Sequence, residues 1–126
     1  MAYTTIDKPT DYFETVIYTG NGGTQSITSL DFAPNWVWIK SRSTVRNNVL
    51  NDTVRGATKN LFSNTTGAEA TDTETLTSFN SDGFTLGDSA KVNENGTTFA
   101  SWNWKAGTSF TNDASATGIG LSLIHI

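Results

Sequence analysis

A chain of 126 residues with a formal charge of −4 suits one domain, and a domain of this size can bury a core without staples. It has no cysteine and one histidine, His125, which excludes disulfide frameworks, thiolate metal sites, cysteine nucleophiles and, in effect, serine–histidine triads. Thr, Ser, Asn and Gly supply 57 residues and only 16% are charged, so the composition calls for strands and turns rather than helices.

Residues 1–11 form a lead-in without the basic start and apolar run of a secretory signal. Residues 12–19 (YFETVIYT) predict a strand with Tyr12, Val16 and Tyr18 on one face and Phe13 and Ile17 on the other. Asn21-Gly22-Gly23 predicts a tight reversal. Residues 27–32 predict a weaker strand, interrupted by Ala33-Pro34-Asn35 because proline cannot donate to a ladder. Residues 36–42 (WVWIKSR) carry the strongest strand pattern, with Val37 and Ile39 against Trp36, Trp38, Lys40 and Arg42.

Residues 45–50 predict a further strand, closed by Asn51-Asp52, and residues 53–63 admit one short helical turn. Residues 64–75 read as an exposed loop. Residues 76–80 and 84–86 flank Ser81-Asp82-Gly83, a three-residue hairpin connection. Asn95-Gly96 predicts a second hairpin, joining residues 91–93 to residues 97–105. In that last strand Ala100, Trp102, Trp104 and Ala106 share one face and Phe99, Ser101, Asn103 and Lys105 the other, a contrast that reads as indoles inward. Short strands at this turn spacing predict an all-β, antiparallel two-sheet sandwich. Residues 108–126 read as a connector of small polar residues.

The succession YFETVIYTGNGG, FAPNWVWIKSRS, NDTVRGATKNLFSNTT, LTSFNSDGFTLG and FASWNWKAG resembles a recurrent β-sandwich domain of marine bacteriophage tail and tail-fibre proteins, over about residues 12–107. The resemblance implies a concanavalin-like or lectin-like jelly roll, often in tandem, with no established enzymatic activity. It also implies a virion tail location after assembly in the host cytoplasm. The partners it implies are other tail proteins or further repeats of the same chain, a host-surface carbohydrate and a trimeric fibre. In such arrays the next repeat begins soon after the WKAG strand, so residues 108–126 are expected to connect to a missing repeat. Residues 121–126 (LSLIHI) depart from the preceding composition. They are similar to translated sequencing-adapter read-through, and the competing reading is the start of the next strand.

Glu69, Asp72 and Glu74 stand in a polar loop of Ala and Thr without the apolar neighbours that raise a catalytic acid's pKa. Asn80, Asp82 and Asp88 partly follow a calcium loop, but Lys91 occupies the place of its bidentate glutamate. The sequons at Asn51, Asn64 and Asn95 are expected by chance in a chain this rich in Asn and Thr. No apolar run reaches the roughly 20 residues of a membrane span, and the acidic balance opposes nonspecific nucleic-acid binding. Charge is nevertheless uneven, with +4 over residues 40–60 and −5 over residues 61–96.

The expected function is therefore a noncatalytic structural or adhesive module without cofactor or metal. The alternative is a carbohydrate-binding module of a secreted hydrolase. The candidate ligand-binding residues are Trp36, Trp38, Lys40 and Arg42, because two cations continue the indole face while Val37 and Ile39 supply a fully apolar one. Long cationic stems covering those indoles would give the same pattern without a ligand.

Overall fold

The computed structural model describes residues 9–106. The connector expected over residues 108–126, with residues 121–126, lies outside the described residues, as does most of the lead-in. After a 3-10 turn at Pro9–Asp11 come β1 (Phe13–Thr19), β2 (Gln25–Ile27), β3 (Trp36–Ser41), β4 (Val49–Asp52), β5 (Lys59–Phe62), β6 (Ala70–Thr71), β7 (Leu76–Asn80), β8 (Gly83–Leu86), α1 (Ala90–Asn93) and β9 (Thr98–Trp104). The strands form a six-stranded sheet in the order β1-β9-β3-β4-β5-β6 and a three-stranded sheet in the order β2-β8-β7. All pairings are antiparallel. The all-β two-sheet sandwich is thus the observed architecture.

The core lies between the sheets. Tyr18, Val37, Ile39, Val49 and Phe99 from the large sheet meet Ile27, Leu76, Phe84 and Leu86 from the small one, with Val92 of α1 packed among them. Fully burying each such side chain contributes roughly 1.5–3 kcal/mol. A buried polar seam continues the inner face. Asn51 Nδ2 donates to Asn60 Oδ1 at 2.8 Å, Thr75 Oγ1 donates to the same oxygen at 3.0 Å, and Asn103 Nδ2 donates to the Glu14 carbonyl at 3.0 Å. These bonds are directional, so they fix register where an apolar contact would allow slippage.

The largest departure from the sequence reading is in β9. Phe99, Ser101 and Asn103 are completely buried, whereas Trp102 and Trp104 are half-buried on the opposite face. The reason is register. Val37 pairs with Asn103 and Ile39 with Ser101, and directly opposed residues share a face, so burying Val37 and Ile39 carries Asn103 and Ser101 inward. Polarity within β9 alone pointed the other way.

Smaller departures have local causes. The strand expected over residues 45–50 begins at Val49, and Val45 is 98% exposed. Side chains there bond elsewhere: Asn48 Nδ2 donates to Ser63 Oγ, Asn64 Nδ2 to Asn47 Oδ1, and Arg46 pairs with Glu94. Residues 91–93 form α1 instead of a strand, because the Ser89 side chain accepts from the Lys91 N–H and caps a helical turn. Residues 53–63 carry no helix; they hold turns followed by β5. The strand expected over residues 27–32 ends at Ile27, and the chain continues as a loop that buries Leu30 and Phe32. The β7–β8 connection is shorter than expected, since Asn80 pairs with Gly83 across Ser81-Asp82.

Gly83 shows how closely the hairpin and β2 approach. A Cβ there would lie 1.7 Å from the Ile27 carbonyl oxygen. Gly83→Ala should therefore lower stability by more than about 2 kcal/mol in denaturant titration. An unchanged midpoint would contradict the described approach of β2.

Candidate functional site

The outer face of the large sheet is built by the same register that forms the core. Across β1, β9 and β3, Phe13 pairs with Trp104 and Trp104 with Trp36; one row on, Thr15 pairs with Trp102 and Trp102 with Trp38. The Trp36 and Trp104 rings stack with centroids 4.4 Å apart and planes inclined by 22°. Phe13 lies 5.0 Å from Trp104, and Trp38 lies 5.6 Å from Trp102 in tilted geometry. Leu50, opposite Trp38, and Leu61, opposite Leu50, extend the second row onto β4 and β5. The result is a two-row aromatic surface over the middle of the sheet, with Phe13 and Trp36 more than a third exposed.

Of the candidate ligand-binding residues, Trp36, Trp38 and Lys40 are brought onto this surface by β3, and Arg42 follows one residue past the strand end. Lys40 and Arg42 are exposed, and the Arg42 N–H donates to the Thr98 carbonyl, which extends the β3–β9 ladder beyond its last pair. The sequence reading missed Trp102, Trp104 and Phe13. A signal for the first two was present, because two Trp-x-Trp strands paired antiparallel in register place all four indoles on one face.

One edge of the surface is held by Arg55. Its Nε donates to Asp52 Oδ2 at 2.7 Å, Nη1 to the Lys59 carbonyl and Glu69 Oε1, and Nη2 to the Leu50 carbonyl. This fork ties β4, the turn after it and β5 into one unit beside Trp36, which pairs with Asp52. Partial burial opposes ionisation of Asp52, but hydrogen bonds and charge from Arg55 outweigh it and hold the carboxyl below its ordinary value of 3.8.

The side chains of Glu69, Asp72, Glu74 and Asn80 have partners within the fold. Glu69 accepts from Arg55, Asp72 Oδ2 lies 3.7 Å from Lys91 Nζ, and Glu74 Oε2 accepts from the Asp88 N–H. Asn80 Nδ2 donates to Thr85 Oγ1, Asn80 Oδ1 accepts from Ser78, and the Asp82 carbonyl accepts from Leu30. Among the described residues, no three acidic or imidazole side chains converge as a metal cage. A cleft of about 250 Å³ is lined by Val45, Arg46, Asn47, Asn64 and Lys91, none of which belongs to the aromatic face.

Fold and site together define a β-sandwich module with an aromatic sheet face. A family model described as a domain of unknown function (DUF7483) matches residues 8–120, and the chain belongs to that family. No curated protein and no solved structure matches it.

The lowered native pKa of Asp52 sets the sign of a pH effect. The stability it contributes is fully present above about pH 4 and is lost as pH falls through the lowered native value. The difference in melting temperature between wild type and Asp52→Asn should therefore shrink on acidification below pH 4. A constant difference would show that Asp52 does not act through its charge.

Proposed function

We propose that the chain is a noncatalytic structural and adhesive module of a phage tail or tail fibre, holding a host-surface glycan on the aromatic face of its large sheet. The observation that carries this reading is the in-register surface of Phe13, Trp104, Trp36, Trp102 and Trp38. Indole faces are broad, apolar and weakly negative, which matches the C–H side of a pyranose ring. The surface runs across three strands, so it suits a polymer lying across them rather than a small molecule held in a cavity. Five aromatic residues left on a sheet exterior also cost solvation that a monomer has no reason to retain. The noncatalytic part of the reading is supported by Glu69, Asp72 and Glu74, each engaged by a neighbour rather than paired across a cleft. As a tail component, the module would assemble in the host cytoplasm with other tail proteins or repeats, in a trimer where it sits in a fibre.

Glycan-array binding compared with thermal stability tests the proposal. Trp36→Ala and Trp104→Ala should each weaken glycan binding by about tenfold or more while costing about 1–2 kcal/mol of stability. Phe84→Ala, at a wholly buried position, should cost about 3–5 kcal/mol. Glycan binding undiminished in both tryptophan variants would overturn the reading.

A further inference from the structure

The charge around the aromatic face bears on the class of glycan, an inference that rests on the adhesive reading above. The outer positions are Phe13, Thr15, Ile17 and Thr19 on β1, Thr98, Ala100, Trp102 and Trp104 on β9, and Trp36, Trp38 and Lys40 on β3, with Arg42 next. None on these three strands is acidic and two are basic, in a chain of net charge −4, while Asp52 of β4 lies opposite Trp36 on the same face. The nearest acids on adjoining elements already have cations: Asp52 is held by Arg55, and Glu94 by Arg46 at 2.6 Å. Lys40 and Arg42 form no ion pair among the described residues, and the Lys40 ammonium donates only to the Ser41 carbonyl.

The order along β3 is therefore Trp36, Trp38, Lys40, Arg42, with successive outward side chains about 7 Å apart. A sugar chain laid along this strand meets two aromatic rows and then two uncompensated positive charges. The geometry points to an acidic polysaccharide built of uronate residues as the ligand. Each uronate offers a C–H ring face to an indole and one carboxylate to a cation, and carboxylates pair well with the guanidinium of Arg42 and the ammonium of Lys40. Stems of Lys40 and Arg42 packed on the indoles would leave their charged heads at the rim, where they remain available.

Affinity electrophoresis of the full chain through gels holding polygalacturonate, dextran or dextran sulfate tests this assignment. Wild type should bind polygalacturonate about tenfold more tightly than dextran, with the preference weakening as salt is raised. The double variant Lys40→Gln/Arg42→Gln should lose that preference, and Trp36→Ala should weaken binding to every polymer it reaches. Equal binding of polygalacturonate and dextran, unchanged in the double variant, would overturn the uronate assignment while leaving the adhesive reading standing. Dextran sulfate bound as tightly as polygalacturonate would also overturn it, since charge alone would then suffice. Retention by none of these polymers, and by no glycan on an array, would overturn the adhesive reading and this inference with it.

Discussion

The alternation of β9 governs the rest of the molecule. This strand sits between β1 and β3, so both of its edges are paired and only its two faces remain to be assigned. Once Phe99, Ser101 and Asn103 face the small sheet, Trp102 and Trp104 must face away from it. The opposite assignment would carry Trp36 and Trp38 inward with them, because β3 and β9 pair indole to indole. Four indoles would then have to fit a gap of about 10 Å already filled by Phe84, Leu86 and Leu76. Small and polar residues on the inner side of β9 are what allow the sheets to close.

That closure leaves polar atoms inside, and the fold answers with directional bonds. Asn93 is fully buried at the end of α1, where its Nδ2 donates to Asn21 Oδ1 and to the Gly23 and Gly87 carbonyls, while its Oδ1 accepts from the Asn21 N–H. The turn after β1 can approach this closely because residue 20 is glycine; a Cβ there would lie 2.1 Å from the Glu94 carbonyl oxygen. Tyr18 adds to the same end of the sandwich, donating to the Val92 carbonyl at 2.7 Å, and its burial pushes the phenol well above its ordinary pKa. One end of the sandwich is thus closed by a polar hub and the β4–β5 edge by the Arg55 fork. The sheet between them holds the aromatic surface in register across β1, β9 and β3.

Much of this was legible in the sequence, for identifiable reasons. Val37 and Ile39 between polar and aromatic neighbours gave a clear period of two, and Ser-Asp-Gly marked a real hairpin, whereas Asn-Gly-Gly leads from β1 in one sheet to β2 in the other. The two-sheet class followed from those signals. What could not be read strand by strand was the inner face of β9, because Ser101 and Asn103 are buried through their partners rather than through their own hydrophobicity. The helical turn at residues 90–93 was hidden for a related reason: a single Ser89 cap decides it against neighbours that also suit a strand. At the candidate site, Trp36, Trp38, Lys40 and Arg42 could be singled out within one strand, while Phe13, Trp102 and Trp104 join them only across strands.

Hydroxyl-radical footprinting with peptide mass spectrometry tests the outward placement of the indoles most directly. The account predicts oxidation at Trp36, Trp38, Trp102 and Trp104, with Phe84 and Phe99 protected in the same sample. Protection of Trp102 and Trp104 to the level of Phe99 would place them in the core and contradict the register on which the aromatic face depends.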